Sequence, residues 1–316
     1  MSSYTSSQVQ HQWDQKISGI FLAILATCLY ATKGIFVKLM YSLGVDTVSV
    51  MALRTLIAFP IYLFIGVWLY KRLAPANPHA LKQTWLHCAA VGVFGYYLAT
   101  YLDLQGLNYM SAQLSGLVSF AYPTFVVLLN RFLFKVPVTP IMIVSLIMTY
   151  CGIFTLFSHE LTLEGDNVIL GLALGLSGAA CFAGYMLFSK PITAKISSGL
   201  FTSIAMSAAS LFIFIHFLSS GSWYTLTITP QVAILSVCMA IGCTIAPSYL
   251  IAEAIKRVGA NNTALLGGLG PVMTAVMAIL ILSESFTSAH LVGMLLVIFA
   301  IILDPVKTYF FGKAKK

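Results

Sequence analysis

The sequence predicts an all-α membrane protein in which ten transmembrane helices form two inverted five-helix repeats. Three observations predict it. Of 316 residues, 59% are hydrophobic and only 8% charged, where an ordinary soluble domain carries about 25% charged residues. Ten apolar segments reach the roughly 20 residues needed to cross a bilayer, at 17–39, 47–69, 85–104, 111–130, 138–157, 168–189, 198–218, 231–252, 260–282 and 288–305. Residues 101–123 also align without a gap on residues 249–271, placing Tyr101 on Tyr249, Leu102 on Leu250, Ala112 on Ala260, Leu117 on Leu265 and Pro123 on Pro271. Five crossings per copy is an odd number, so the second copy enters the bilayer upside down, an arrangement found in many secondary transporters.

The chain then divides into a cytoplasmic N-terminal tail at 1–16, a first five-helix repeat at 17–157, a second at 168–305 and a basic cytoplasmic tail at 306–316. The connections are too short to hold a soluble domain, which leaves catalysis outside the membrane no place. In the first tail Lys16 is the only Lys or Arg. The apolar run after it is longer than the hydrophobic part of a secretory signal and reads as a retained first span. Cys28, Cys88, Cys151, Cys181, Cys238 and Cys243 all fall inside spans, with no CxxC and no Cys/His spacing for zinc. They read as small hydrophobes, and neither a metal nor a cofactor is expected.

Basic residues orient the spans. With the amino terminus in the cytoplasm, Lys16, Lys71, Arg72, Lys82, Arg131, Lys135, Lys190, Lys195, Lys256, Arg257, Lys307, Lys313, Lys315 and Lys316 all lie on the inner side. Of the rest, Lys38 is left at the outer surface and Lys33 and Arg54 within spans, while the fifth connection, with Glu160, Glu164 and Asp166, lies outside. That asymmetry is the positive-inside pattern. It accounts for the net charge of +8 without a nucleic-acid partner. The expected location is a bacterial inner (plasma) membrane with both termini cytoplasmic.

Two spans are weakened at matching positions. Span nine holds Gly267, Gly268, Gly270 and Pro271 within five residues, removing side-chain packing and one backbone hydrogen bond. Pro123 is the partner in span four, with Ser119 and Tyr122 nearby. Irregular backbone is tolerated in a membrane only beside protein or a wet cavity, so the paired breaks point to a shared central cavity and to gating. Span six carries Gly171, Gly175 and Gly178, small residues that let two helices approach closely, within one subunit rather than between two. The glycines of span nine lack the Lys-Ser/Thr that would follow in a phosphate loop.

Charges inside spans are costly and mark function when snorkelling does not explain them. Lys33, six residues before the outer end of span one, and Arg54, seven residues after the outer start of span two, each lie about 10 Å below the surface at 1.5 Å per residue. Both are candidates for binding substrate, with pairing to Asp103 at the outer end of span three as the structural alternative. Aromatic residues supply the rest of a candidate pocket. Tyr30 shares the helix face of Lys33, Tyr97 and Tyr101 share a face of span three, and Tyr122 and Tyr249 lie beside the paired breaks and on the repeat. Tyr70, Tyr150 and Tyr309 read as belt residues at the membrane interface. Glu253 reads as the ion partner of Lys256 and Arg257 on its own helix.

The chain resembles the EamA-type branch of the drug/metabolite transporter superfamily over residues 17–305. The residues that carry the likeness are Arg54, Ala58, Tyr101, Ala112, Pro123 and Gly152 in the first half, with Tyr249, Ala254, Ala260, Pro271, Glu284 in LSES and Gly293 in the second. The resemblance implies a ten-helix inverted-repeat fold, a central cavity built by spans one to four and six to nine, and alternating access for small metabolites. One departure is Val136, which stands at the position aligned with Glu284.

A secondary transporter for a small metabolite is therefore the functional expectation. No Asp or Glu lies near the middle of a span, whereas exporters of hydrophobic cations need such a carboxylate. Lys33 favours an anionic or zwitterionic substrate, such as an amino acid or organic acid; a multidrug or organic-cation exporter is the alternative. The expected partners are that small molecule and the lipid bilayer, and the sequence leaves proton coupling open. A channel would present polar rings along its path. An enzyme would cluster its acid/base groups, yet His11, His79, His87, His159, His216 and His290 are scattered.

Overall fold

A computed structural model describes residues 2–73, 78–109, 115, 118–157, 167–273, 276, 288 and 291–300, which form helices joined by short turns and connections. α1 (Ser2–Ala31) passes through a tight turn at Thr32 into α2 (Lys33–Ser42). The Thr32 hydroxyl donates to the Leu29 carbonyl at 2.8 Å, and such back-bonding competes with the regular helix ladder. α3 (Thr47–Leu73) is preceded by Asp46, whose Oδ2 accepts from the amides of Val48 at 3.0 Å and Ser49 at 3.3 Å. α4 (Pro78–Gly92), a π-helical segment (Val93–Leu98) and α5 (Ala99–Gly106) make one continuous rod.

α6 (Tyr122–Phe134), α7 (Pro140–Phe157), α8 (Val168–Thr193) and α9 (Ser198–Ser220) follow. Ser197 caps α9 by accepting from the Leu200 amide at 3.2 Å, satisfying a donor that the first turn leaves free. α10 (Pro230–Ala240), a second π-helical segment (Ile241–Ile245) and α11 (Ala246–Val258) form another continuous rod. α12 (Ala260–Gly267) and α13 (Leu291–Ala300) complete the described helices.

Among the described residues, five stretches are long and apolar enough to cross a membrane: Gln15–Ser42, Thr47–Arg72, Val168–Thr193, Ser198–Ser220 and Pro230–Val258. They coincide with expected spans one, two, six, seven and eight. Tyr122–Phe134, Pro140–Thr155 and Leu291–Ala300 are shorter apolar helices on expected spans four, five and ten. Span three falls on the α4–π–α5 rod, made more polar by its tyrosines and Asp103. The later part of span nine, including Glu284, and the tail from 301 lie largely or wholly outside the described residues.

Irregular backbone recurs at one offset. The π-helical segments start at Val93 and Ile241, and turns interrupt the helices at Phe120–Ala121 and at Gly268. Val93 precedes Ile241, and Phe120 precedes Gly268, by the same 148 residues that bring Tyr101 onto Tyr249.

Packing relies on close backbone approach, the main source of helix association where lipid removes the hydrophobic drive. α3 packs on α9, α1 on α11, α5 on α8, and α6 on both α8 and α12. A Cβ on Gly178 of α8 would lie 2.9 Å from the Ala99 carbonyl oxygen and 3.1 Å from the Asp103 nitrogen. Gly171 meets Gly106 and Tyr109 in the same groove, so Gly171 and Gly178 of span six serve contacts within the chain. Gly92 receives the Ala205 backbone of α9, where a Cβ would stand 2.1 Å from the carbonyl oxygen.

One end of the bundle gathers basic residues. Lys190 donates to the Lys256 carbonyl at 2.5 Å, and the Arg257 guanidinium donates to the Ser18 hydroxyl at 2.6 Å. Glu253 accepts from Arg257 Nε at 2.7 Å and from the Ser198 hydroxyl, so of the two expected helix-face partners the ion pair forms with Arg257. α1 therefore leaves the basic end at which α8 and α11 arrive, so α1 and α8 run in opposite directions. At the other end the Ser222 hydroxyl donates to Asp46 at 3.0 Å.

Candidate substrate site between the broken helices

The two proline-linked breaks meet face to face. Proline lacks the amide for the preceding turn and its ring clashes with the carbonyl four residues back, which sets the turns just ahead of Pro123 and Pro271. Both prolines are buried. Tyr122, first residue of α6, donates its hydroxyl to the Ala264 carbonyl of α12 at 3.3 Å. Gly267 makes room for it: a Cβ there would stand 1.4 Å from the Tyr122 hydroxyl. A Cβ on Gly270 would lie 2.3 Å from the Phe120 ring. The glycine run of span nine is thus a seat for the aromatic residues at the break of span four, with Gly268 as its turn.

The carbonyl freed at Phe120 accepts from the Tyr150 hydroxyl at 3.3 Å, while that hydroxyl lies 2.5 Å from Thr124 Oγ1. This corrects the reading of Tyr150 as a belt residue: a backbone acceptor left open by a helix break requires a partner inside the bundle. Tyr70 instead packs edge-on against Trp85, with ring centroids 5.5 Å apart. Tyr309 lies outside the described residues.

The charged candidates come together beside these breaks. Lys33, first residue after the Thr32 turn, places Nζ 2.7 Å from Asp103 Oδ2, with side chains 11% and 17% exposed. The other carboxylate oxygen of Asp103 accepts from the Ser119 hydroxyl at 2.5 Å. Asp103 therefore joins α2, α5 and the segment just before the turn at Phe120. Lys33 also donates to the Tyr30 hydroxyl at 3.2 Å and lies 4.7 Å from that ring's centroid, as their shared helix face predicts.

Arg54, on α3, is 5% exposed. Its Nε has no hydrogen-bond partner, and among the described residues no carboxylate pairs with its guanidinium. It stands within electrostatic reach of Lys33, Tyr41, Tyr62 and Cys243. Cys243 belongs to the second π-helical segment, and its sulfur lies 3.0 Å from Thr32 Oγ1 at the turn in span one. Tyr41 lines a cavity of about 330 Å³ that opens at the end opposite the basic one, together with Asp46, Thr47, Gln105 and Asn108.

The remaining tyrosines divide between two places. Tyr97 and Tyr101 stack with centroids 6.5 Å apart and enclose His216 of α9, whose Nδ1 is 3.1 Å from the Tyr97 hydroxyl. Tyr249 is not part of the charged group. It pairs with Ser203 Oγ at 2.8 Å and packs on Tyr62, whose hydroxyl lies 2.9 Å from Ser248 Oγ.

Sequence reasoning missed two contributors. His216 looked isolated because its partners lie more than a hundred residues away. Phe182, on α8, packs its ring against Tyr30, Tyr96, Tyr122 and Tyr185. A phenylalanine in an apolar span carries no signal that separates it from core.

The chain matches the EamA-like transporter family over residues 17–158 and 169–303. It belongs to that family. An uncharacterized transporter of Bacillus subtilis (strain 168), YcbK, is 27% identical over 299 residues, covering 91% of this chain and 92% of that protein. An uncharacterized transporter of Synechocystis sp. (strain ATCC 27184 / PCC 6803 / Kazusa), sll1319, is 24% identical over 313 residues, covering 91% and 93%. A protein crystal structure 16% identical in sequence superposes with a TM-score of 0.73, covering 92% of this chain and 98% of the other. That likeness concerns the fold alone. Membership makes this EamA-family chain an integral membrane transporter, with a small-molecule substrate and a lipid environment.

Proposed function

We propose that this EamA-family protein is a secondary transporter that moves a small anionic or zwitterionic metabolite, such as an amino acid or organic acid, by alternating access. The observation that carries the reading is the charge balance beside the helix breaks. Two buried cations, Lys33 and Arg54, stand within electrostatic reach of each other, and Lys33 alone has a carboxylate partner among the described residues. An unpaired ion removed from water costs several kcal/mol, so a site of this kind lowers its free energy by taking an anion.

Alternating access draws support from the helix pairing. An exchange of the two halves turns the contact of α1 with α11 into that of α8 with α5, and maps the contacts of α3 with α9 and of α6 with α12 onto themselves. The shared offset of π-helical segments and turns supports the same two-fold relation, with repeats at 17–157 and 168–305. In such a bundle the halves rock about a central site. The basic end, with Lys190, Lys256 and Arg257, is then the cytoplasmic face of a bacterial inner membrane, with both termini inside. An organic-cation exporter fits less well, because the carboxylate of Asp103 is taken by Lys33 and Ser119.

Reconstitution separates a carrier from a channel. A carrier in proteoliposomes accelerates uptake of labelled substrate when unlabelled substrate is trapped inside, and its rate saturates. Steady, non-saturating currents in planar bilayers, without counterflow, would contradict the proposal.

A further inference from the structure

The two cations have different surroundings, and the difference divides their work. Lys33 donates to Asp103 Oδ2 at 2.7 Å and to the Tyr30 hydroxyl at 3.2 Å, with the centroid of the Tyr30 ring 4.7 Å from its Nζ. Asp103 in turn has Ser119 on its second oxygen and its backbone seated against Gly178. This pair is neutral and complete. Arg54 is more deeply buried, has an orphaned Nε and has no carboxylate within pairing distance among the described residues. A guanidinium offers five N–H donors in a rigid fork that fits a carboxylate with two parallel bonds, a fit that the ammonium of Lys33 lacks.

We infer that Arg54 is the carboxylate receptor of the transport site and takes one singly charged carboxylate, while the Lys33–Asp103 pair stays intact beside it as a neutral wall. The inference rests on the anion-transporter reading and sharpens it. The earlier expectation from sequence gave the leading part to Lys33; the ion pair with Asp103 moves it to Arg54. One carboxylate on Arg54 brings the described charges of the site to zero, with Lys33 balancing Asp103 and Arg54 balancing the ligand. A second negative charge on the ligand would have no counterpart.

The experiment is a ligand-dependent unfolding measurement on the full chain in lipid nanodiscs. Acetate serves as the minimal singly charged carboxylate, succinate as a doubly charged one and tetraethylammonium as a cation, each titrated against sodium chloride at matched ionic strength. Anything that binds the folded state alone raises the unfolding temperature with saturation. Wild type is expected to be stabilised by acetate more than by succinate, and not by tetraethylammonium. Arg54→Gln is expected to lose the acetate effect, with the half-maximal concentration raised by about tenfold or more, the usual scale for losing a charge-assisted hydrogen bond. Arg54→Lys, which keeps the charge and loses the fork, covers the case of a Gln variant that fails to fold and is expected to fall between the two. The double variant Lys33→Gln/Asp103→Asn, which removes both charges of the pair together and leaves the balance at Arg54 unchanged, is expected to keep the acetate response.

If anions stabilise the protein but the effect survives undiminished in both Arg54 variants, the anion reading stands and the assignment to Arg54 is overturned. If no carboxylate stabilises wild type, or only tetraethylammonium does, both fall.

Discussion

Replacing Asp103 by Asn probes the ion pair on which the site is built. The variant keeps the shape of the side chain and an acceptor for the Ser119 hydroxyl, but removes the charge 2.7 Å from Lys33. Lys33 is then an unpaired ammonium, 11% exposed. Taking one partner from a buried pair costs about 3–5 kcal/mol. The residual exposure of both side chains places the expected loss near the lower figure, about 3 kcal/mol. Lys33→Met alone leaves Asp103 as the stranded ion and is expected to cost a similar amount. The double variant, with neither charge, is expected within about 1 kcal/mol of wild type, because replacing a whole buried pair is often close to neutral. The assay is reversible unfolding in mixed micelles, read as a double-mutant cycle. A coupling energy above about 2 kcal/mol is the expected outcome. Strict additivity, or a loss below about 1 kcal/mol for Asp103→Asn, would refute the pairing.

The seat of the helix breaks has its own test: Gly267→Ala drives a methyl group into the Tyr122 hydroxyl, 1.4 Å away, and overpacking of this kind costs about 1–3 kcal/mol. Tyr122→Phe removes that oxygen, so the same Gly267→Ala change is expected to cost clearly less in the Tyr122→Phe background, by the same unfolding assay. Gly92→Ala meets the backbone carbonyl of Ala205 at 2.1 Å, which a rotamer change does not relieve. It is expected to lower the unfolding temperature markedly. Gly242→Ala, with no atom within 4 Å of its Cβ, is expected to be neutral or to stabilise by up to about 1 kcal/mol through helix propensity.

The all-helical, membrane-spanning character of the chain was readable because apolar length alone marks a span. Pro123 and Pro271 announced the helix turns, since a missing amide acts within one turn of its own position. The π-helical segments at Val93 and Ile241 were not readable. Their residues form an ordinary α-helix pattern, and the irregularity shows only in which carbonyl each amide meets. Lys33 and Arg54 illustrate the same limit for the site. Counting residues gives them an equal expected depth, but which of them is neutralised depends on a contact with Asp103, 70 residues from Lys33. Tyr97 and His216 are 119 residues apart, and scattered histidines gave no sign of that meeting.

The charge class of the substrate is where the account is most exposed. Counterflow in proteoliposomes, run in parallel with labelled monocarboxylates, dicarboxylates, amino acids, nucleotides and organic cations, measures it directly. The account predicts saturable exchange of a carboxylate-bearing solute, strongest for singly charged ones and lost in Arg54→Gln. Exchange of organic cations, undiminished by that substitution, would contradict it.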